Sequence, residues 1–354
     1  MRIEASGAVM GNAIAPLTEA ELDFLDRVSS ADGSPEISGG LLDIATGDDE
    51  SHSAQTASSV WRVYDESTLI GFGIRALQGE RHAAEFLIAP DHRGQGHGEA
   101  LLSTILAEQP DSWCWSHGDH PAAKHLAEKH GLGRDRVLYQ MRTDSGLSLD
   151  DLPQTSPPAG VTIRSFQPGD EAGWLRVNNA AFDWHPEQGS QTPEDFAEIV
   201  DAPDFDPDTV VIAAKAVDAA EARPSHDIAT VEATGTEQVI GFHQTKITDT
   251  DDQGRLGEVY VVGVDPAIHA KGVGKALTIE GMRRMVAAGV AAIELYVESD
   301  NPRALGLYER LGFHVAVAHV SYAPASPSQS AASSPRNDAS VQDSVSSSSQ
   351  STQE

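Results

Sequence analysis

The stretch RGQGHGEAL at residues 93–101 recurs as HAKGVGKAL at residues 269–277, and each copy follows a short apolar run that ends in a proline, Pro90 or Pro266. A strand, a glycine-rich turn and a helix in this order expose backbone N–H groups at the positive end of the helix dipole. Glycine lets the backbone approach a ligand closely or adopt a positive φ, and a pyrophosphate is the natural ligand. The pattern matches neither the GxGxxG dinucleotide turn nor the GK[ST] triphosphate loop. Its recurrence is what favours phosphate binding over a plain turn.

The similarity between the two regions extends outward from the loops. IGFGI at 70–74 resembles IGFHQ at 240–244, and DHPAAKHLAEKHGL at 119–132 resembles DNPRALGLYERLGF at 300–313. The matches keep their order along the chain, and their spacing drifts by only a few residues. We therefore predict a tandem duplication of one domain of roughly 150 residues. The unit is too long, and two copies are too few, for a solenoid repeat.

Both halves have the same predicted order of elements. Two strands lead into the glycine loop, an amphipathic helix follows, and a further strand leads into a last helix. In the second half this last helix begins at Asn301, a capping residue followed by Pro302, and ends at Gly312. The alternation of strands and helices predicts an α/β fold class with an α+β mixed sheet in each half.

Composition divides the chain further. The segment 144–160 has the polar, proline-containing character of a linker, and 218–238 is a polar segment between two apolar runs, which we interpret as an exposed hairpin insertion. The Ser-rich C-terminus has too few apolar residues to offset the entropy of ordering, so we predict a disordered tail. The predicted units are a first domain at 1–150, a second domain at 151–322 that contains the insertion, and the tail at 323–354.

The chain has 354 residues and a formal net charge of −30. This charge argues against a nucleic-acid partner but not against a phosphate-bearing cofactor, and solubility or a salty habitat explains it more simply. Cys114 is the single cysteine, so we expect no disulfide, no cysteine zinc site and a cytoplasmic location. His117, His120, His125 and His130 lack the spacing and acidic support of a metal site. We also expect a monomer without a signal peptide or a membrane span.

The loop and the downstream pattern N-x-x-A-x-x-x-Y-E-x-x-G-F together resemble the GNAT-type N-acetyltransferase family. In that family the loop grips the pyrophosphate of acetyl-CoA, and the resemblance implies two tandem GNAT domains. The first half fits the loop pattern with Arg93, Gly96 and Gly98, whereas the second has His269 where the family has Gln or Arg. The implied cofactor-binding residues are Leu87, Ile88, Ala89, Gln95, Gly96, His97, Gly98, Glu99, Ala100, Val262, Gly263, Val264, His269, Ala270, Lys271, Gly272, Val273, Gly274, Lys275, Asn301, Pro302, Arg303, Ala304, Leu305 and Gly306.

Longer segments of the second half are similar to a more specific branch of the family. EVYVVGVDP at 258–266, LYVESDNPRALGLYERLGF at 295–313 and AFDWHPEQG at 181–189 resemble its tandem members that act in mycothiol biosynthesis. The resemblance implies acetyl-CoA as co-substrate, no metal, and the cysteinyl amine of desacetylmycothiol, a cysteine–glucosamine–inositol conjugate, as acceptor. The acceptor contacts that it implies are Glu36, Glu187, Lys246, Glu258 and Tyr296, with Ser38 as an alternative to Glu36.

Aligning the two halves indicates which of them performs chemistry. Glu258 lies eight residues before Pro266, and the same count before Pro90 reaches His82; Tyr308 aligns with Ala127, which cannot donate a proton. Because an α-amino group has an ordinary pKa of about 7.7–8.0, a modest base is sufficient to deprotonate it. The resemblance implies that Glu258 is this base, acting through a water, and that Tyr308 protonates the CoA sulfur. It also implies that the backbone of Val262 and Val264 holds the pantetheine arm and polarises the thioester.

The sequence leaves several alternatives open for the roles of these residues, the acceptor and the first half. On periodicity alone Tyr308 is a core aromatic, Glu258 a solvated strand residue and Tyr296 a sheet-packing residue. The acceptor could be another amine, such as an aminoglycoside or a peptide N-terminus, or the chain could be a non-catalytic acyl-CoA-binding regulator. The first half could bind acetyl-CoA without catalysis, act as a structural partner or help to form the acceptor cleft. Trp113 and Trp115 alternate on a strand, which predicts that both rings pack on one face.

Overall fold

The computed structural model describes residues 1–7, 16–33, 37–46, 58–78, 81–183, 188–203, 205–216, 237–250, 254–268 and 271–324. The described residues form twelve strands and eight α-helices. The strands are β1 (Arg2–Gly7), β2 (Ser59–Asp65), β3 (Thr68–Gln78), β4 (Arg81–Ile88), β5 (Trp113–Ser116), β6 (Leu132–Arg142), β7 (Val161–Ser165), β8 (Val210–Ala216), β9 (Glu237–Thr250), β10 (Gly254–Val264), β11 (Ala292–Glu298) and β12 (His314–Pro324). The helices are α1 (Glu19–Asp32), α2 (Gly39–Thr46), α3 (His97–Glu108), α4 (Pro121–Lys129), α5 (Glu171–Ala181), α6 (Pro193–Val200), α7 (Val273–Ala287) and α8 (Pro302–Arg310).

The strands form one mixed sheet with the order β1-β2-β3-β4-β5-β12-β6-β11-β10-β9-β8-β7. The pairs β4–β5 and β10–β11 run parallel, and the other neighbouring pairs run antiparallel. The elements therefore repeat in the order that the duplication predicts, and the mixed sheet is confirmed.

The two halves exchange their last strands. β6, from the first half, pairs with β11 of the second half, while β12, from the second half, pairs with β5 of the first. β6 and β12 also pair with each other, from His314 opposite Arg142 to Pro324 opposite Leu132. No helix or strand lies between Arg142 and Val161, which agrees with the predicted linker. The linker separates the halves in the chain, but the sheet is continuous across them.

The predicted start of the C-terminal tail was too early by two residues. Ala323 and Pro324 belong to β12, because the ladder continues through Gly133 and Leu132. Proline is tolerated there since it ends the strand. The rest of the predicted tail and nearly all of the predicted insertion at 218–238 lie outside the described residues.

The helices cover the two faces of the sheet. On one face, Leu101 and Ile105 of α3 pack on Trp61, and Leu277 of α7 packs on Ile240. α4 and α8 lie on the same face. On the other face, α1 and α2 cover the first half, and α5 and α6 cover the second, where Trp174 packs against Phe242 with ring centroids 4.6 Å apart. Burial of these apolar side chains is the main stabilising contribution, at roughly 25 cal/mol for each Å² removed from water.

Local predictions held where the sequence signals were strong. Trp113 and Trp115 pack on the α1–α2 face with ring centroids 5.1 Å apart, as their alternation predicts. Asn301 caps α8, because its Oδ1 accepts a hydrogen bond from the Ala304 N–H at 3.1 Å. Gly312 follows α8 with a φ of 91°, which L side chains rarely adopt.

Candidate active site

A wedge-shaped opening separates β10 from β11. The two strands pair in parallel from Leu256 opposite Ala292 to Val259 opposite Leu295 and then diverge. At the same point the register of β10 against β9 shifts by one residue, so Tyr260 forms a β-bulge. The opening therefore begins where the bulge bends β10.

The edge of β10 that faces the opening carries free backbone donors. The Asp265 N–H donates to the Ile240 carbonyl at 3.0 Å, on the β9 side. Because successive N–H groups along a strand point to opposite edges, the N–H groups of Val264 and Val262 point away from β9, into the opening. This orientation matches the sequence-based expectation that Val262, Gly263 and Val264 line a cofactor site.

The glycine loop of the second half lies at the same opening. Gly272 caps α7 with a φ of 97°, and its carbonyl accepts from the Ala276 N–H at 3.0 Å. A Cβ added at Gly274 would lie 3.5 Å from Val264 Cγ2, so the first turn of α7 adjoins the free edge of β10. Lys271 and Lys275 are exposed beside it. The helix end, its N–H groups and two ammonium groups place positive charge at this point of a chain of strong negative charge.

Tyr308 approaches from the helix α8 side. Its ring packs against Phe313 with centroids 5.8 Å apart, and among the described residues its hydroxyl has no hydrogen-bond partner. Burial raises the pKa of Tyr308 above its ordinary value, so the phenol keeps its proton at neutral pH. The first turn of α8 contains the other predicted contacts on this side, namely Asn301, Pro302, Arg303, Ala304, Leu305 and Gly306.

Glu258 lies on the opposite face of the sheet. It is half-buried, with Lys246 opposite it on β9 and Glu294 opposite it on β11. Burial raises the pKa of Glu258, the Lys246 ammonium opposes that rise, and the Glu294 carboxylate adds to it. A higher pKa of Glu258 lies closer to the pKa of an α-ammonium group, which suits a general base. Glu258 and Tyr308 thus flank one opening from its two faces.

Two tyrosines border Glu258 on this face. Tyr260 and Tyr296 are 44 % and 45 % exposed, and the Lys246 Nζ lies 3.3 Å from the Tyr260 ring centroid. Burial and the carboxylates Glu294 and Glu258 raise the pKa of Tyr296 to about 12. The structure therefore brings Lys246, Glu258 and Tyr296 together, as the sequence resemblance implies. Glu36, Glu187, His269 and Ala270 lie outside the described residues.

Residues of the first half enter this site through the exchanged strand β6. Arg142 donates to Glu294 Oε2 at 2.9 Å, and Gln140 Nε2 donates to the same oxygen at 3.0 Å. These bonds hold Glu294 beside Glu258. The sequence analysis did not identify either residue, because a comparison of the two halves does not indicate that β6 pairs with β11.

The first half has its own opening, between β4 and β5. These strands pair only at Ala83 and Ala84, and the Ala89 N–H donates to the Ile70 carbonyl at 2.8 Å, as Asp265 does to Ile240. A cavity of about 500 Å³ extends from this opening to the start of α3, where Gly96 has a φ of 86°. Of the predicted cofactor residues, Leu87, Ile88, Gly96, Gly98 and Glu99 line the cavity. Ala89, Gln95, His97 and Ala100 are their neighbours in the chain.

Arg93 lines the cavity and also makes structural contacts that the loop pattern does not indicate. Its guanidinium forms a bidentate pair with Asp32 at 2.8 and 2.5 Å, and its Nε donates to the Ile88 carbonyl at 2.7 Å. It therefore ties the loop to the end of α1. In the same cavity, burial raises the pKa of Cys114 to about 12, so this thiol is not a nucleophile at neutral pH.

The first half lacks both candidate catalytic groups. α4 and α8 align so that Ala127, buried in α4, occupies the position of Tyr308. The alignment of Glu258 with His82 was wrong by one residue, because the Tyr260 bulge lengthens β10 relative to β4. Strand pairing aligns Glu258 and Glu294 with Ala83 and Trp113.

Two further observations concern the described part of the chain. No three His, Cys, Asp or Glu side chains there are grouped in a way that could hold a metal ion. No helix there combines the length and apolar character that are needed to cross a bilayer.

Comparison with known proteins identifies relatives of both halves. A model described as Acetyltransferase (GNAT) family matches residues 184–313, and one described as Acetyltransferase (GNAT) domain matches residues 56–131. A mycothiol acetyltransferase of Streptomyces avermitilis is 40% identical over 305 residues, covering 83% of this chain and 87% of the relative. One from Mycobacteroides abscessus is 44% identical over 241 residues, covering 68% of this chain and 73% of the relative.

Solved structures share the fold. A GCN5-related N-acetyltransferase from Sphaerobacter thermophilus superposes with a TM-score of 0.59 at 20% identity, covering 90% of this chain and 94% of its own. A tandem GNAT protein from the clavulanic acid biosynthesis pathway superposes with a TM-score of 0.58 at 14% identity, covering 91% and 98%. The arrangement of two GNAT domains in one chain is thus found in a known structure.

Proposed function

This chain belongs to the mycothiol acetyltransferases, a tandem branch of the GNAT family, and we propose that it transfers the acetyl group of acetyl-CoA to the cysteinyl amine of desacetylmycothiol. GNAT acetyltransferases use acetyl-CoA as co-substrate. The observation that carries the proposal is the placement of Glu258 and Tyr308 on opposite faces of one opening, beside the free N–H groups of β10.

In this proposal acetyl-CoA occupies the opening of the second half. Its pyrophosphate binds the N–H groups at the start of α7, with Lys271 and Lys275 nearby. Its pantetheine arm extends along β10, where the Val262 and Val264 N–H groups face it. One of these donors polarises the thioester carbonyl, which stabilises the negative charge that develops on its oxygen.

The reaction moves protons on both nitrogen and sulfur. Glu258 takes a proton from the cysteinyl ammonium through a water, and the neutral amine nitrogen attacks the thioester carbon. The nitrogen of the tetrahedral intermediate then releases its second proton to water. The C–S bond breaks with its electron pair on sulfur, Tyr308 donates its proton to the CoA thiolate, and the tyrosinate regains a proton from water. Its raised pKa keeps Tyr308 protonated until that step. The products are the N-acetylated cysteinyl compound and CoA.

The acceptor occupies the α1–α2 and α5–α6 face, next to Glu258. Lys246 and Tyr296 border that position, and both present polar atoms suited to a ligand rich in hydroxyl groups. Glu187 and Glu36, with Ser38 as the alternative to Glu36, are further proposed contacts. We assign catalysis to 151–322 and a non-catalytic acetyl-CoA site to 1–150, in a cytoplasmic, monomeric protein.

The test is acetyl-CoA consumption by the full chain with purified desacetylmycothiol, followed by mass spectrometry of the product. We expect a gain of one acetyl group on the cysteinyl nitrogen. If acetyl-CoA binds without turnover, the acceptor assignment is wrong, and other amines, including aminoglycosides and peptide N-termini, are the next to assay. If no amine is acetylated, the alternative of an acyl-CoA-binding regulator replaces the enzyme.

A further inference from the structure

Three side chains, of which Glu85 and His319 are buried and His117 is half-buried, connect the first half to the acceptor face. Glu85 on β4 is only 2 % exposed, and its Oε2 accepts a hydrogen bond from the Ser38 N–H at 2.5 Å. Its Oε1 lies 3.1 Å from His117 Nε2, and His117 Nδ1 lies 3.1 Å from His319 Nδ1 on β12. The mechanism proposed above uses none of these groups.

The network engages one ring nitrogen of His319 and leaves the other for a further partner. A carboxylate only accepts hydrogen bonds, so His117 donates from Nε2 to Glu85. His117 Nδ1 and His319 Nδ1 share one proton between them, and His319 Nε2 is the ring nitrogen that His117 does not contact. Burial and His117 lower the pKa of His319 to about 4, so the ring is neutral at physiological pH.

His319 Nε2 is a buried polar atom that has no hydrogen-bond partner among the described residues. The residue is 8 % exposed, and no described residue donates a hydrogen bond to this atom. A buried polar atom that lacks a hydrogen bond is unfavourable, so a ligand that supplies one gains affinity. Because the two ring nitrogens point in widely divergent directions, Nε2 points away from His117. His117 follows β5, on one side of β12, and Tyr296 is on β11, on the other side. The Tyr296 ring centroid lies 5.9 Å from that of His319. His319 Nε2 therefore points towards the side of Tyr296.

The distance from the reacting amine fits the far end of the acceptor. Glu258 is on β10 and His319 on β12, three strands away in the order β10-β11-β6-β12, which is ~14 Å at the usual spacing. With the cysteinyl amine at Glu258, an acceptor that passes over Tyr296 places its glucosamine–inositol portion near β12. That portion consists of rings with many hydroxyl donors.

We infer that His319 Nε2 forms a hydrogen bond with a hydroxyl group of the polyol end of the acceptor, and that His117 and Glu85 are positioning residues that fix the His319 ring. This inference rests on the proposed function, because it assumes a polyol acceptor whose amine lies at Glu258. It gives the first half a part in acceptor binding, since two of the three residues of the network belong to that half.

The experiment compares two conservative variants of the full chain, His319→Gln and His319→Asn. The amide of Gln reaches the position of Nε2, whereas the amide of Asn reaches only that of Nδ1, which faces His117. A hydrogen bond contributes about 0.5–1.5 kcal/mol, so its loss corresponds to a roughly 2- to 13-fold weaker interaction. We expect His319→Asn to raise the KM for desacetylmycothiol by that factor and His319→Gln to change it by less than about twofold, with kcat and the KM for acetyl-CoA unchanged in both.

L-Cysteinamide, which has the amine but no sugar, is the control acceptor. We expect the same kcat/KM for it in His319→Asn and in the unsubstituted chain. A normal KM for desacetylmycothiol in His319→Asn overturns the inference, and equal losses with both acceptors show that His319 only supports the fold. If the unsubstituted chain has the same kcat/KM for L-cysteinamide as for desacetylmycothiol, the polyol contributes nothing to recognition. The proposed function then fails, and the polyol contact fails with it.

Discussion

The two halves of the sheet differ most at a single matched pair of positions. Where the parallel strands begin to diverge, the first half has Ala83 opposite Trp113, and the second has Glu258 opposite Glu294. The openings, the glycine turns and the helix starts are otherwise alike. A duplicated domain can thus keep the geometry of a cofactor site while its chemistry depends on a few side chains in one copy.

The glycine loops show a smaller difference of the same kind. The position of Lys275 at the start of α7 is occupied by Glu99 at the start of α3, where Glu99 pairs with Lys129 at 2.6 Å. A carboxylate beside the helix end weakens the attraction for a pyrophosphate, whereas an ammonium group strengthens it. The second loop therefore attracts an anion more strongly than the first does, by charge.

Removing the catalytic pair has the largest expected effect. Glu258→Gln and Tyr308→Phe each delete one proton transfer, so we expect kcat/KM to fall by about 10²–10⁴ for each, the usual contribution of general acid–base catalysis. Steady-state kinetics measures the loss, and calorimetric titration should show unchanged acetyl-CoA binding in both variants. Normal turnover in either variant would remove that residue from the mechanism and from the chemical difference between the two halves.

The matched substitutions Gly274→Asp and Gly98→Asp test whether the two loops serve different purposes. An added carboxylate repels a pyrophosphate held a few ångströms away by up to about 4 kcal/mol, but as the second residue of a helix it suits the helix dipole, which protects folding. We expect Gly274→Asp to reduce turnover on the order of 10²-fold. We expect Gly98→Asp to reduce it by less than about threefold and to remove one of two bound acetyl-CoA molecules.

Calorimetry with acetyl-CoA measures the stoichiometry for both loop variants. Circular dichroism shows whether each keeps its helix content. If Gly98→Asp reduces turnover as much as Gly274→Asp does, the two loops do not serve different purposes, because the first loop then takes part in catalysis.

A change at Glu294 should have the smallest effect, a displacement of the pH profile. The Glu294 carboxylate raises the pKa of Glu258, so Glu294→Gln should lower that pKa. Since the base acts as a carboxylate, activity is lost as the pH falls through its pKa, and the acid limb of kcat/KM should move to lower pH. Glu19→Gln, an exposed position on α1, is the control, and an unmoved acid limb in Glu294→Gln would contradict the assignment of Glu258 as base.

The sequence was sufficient to predict the duplicated architecture, and it indicated side chains that the structure places close to one another. The glycine loops, the Asn301 cap and the absence of a hydroxyl at Ala127 are all local signals, because they depend on residues a few positions apart. Lys246, Glu258 and Tyr296 were identified by resemblance, and the structure brings them together on one face of the sheet.

Other features depended on long-range pairing, which periodicity does not encode. The bulge at Tyr260 adds one residue to β10, and the residue count that aligned Glu258 with His82 could not detect it. Gln140 and Arg142 reach the acceptor face only because β6 inserts beside β11. The loop pattern likewise says nothing about Asp32, which binds Arg93 through tertiary contact.

The exchange of β6 and β12 also constrains how the chain can acquire its structure. His117 and His319 touch although they are 202 residues apart, and the ladder that joins β5 to β12 has similarly large sequence separations. Such contacts raise the contact order and slow folding, because a long loop must close before they form. During synthesis, β5 has an unpaired edge until the ribosome has released nearly all of the second half. The two halves therefore complete their folding together, and a gene fragment that encodes either one alone would yield a sheet with an open edge prone to aggregation.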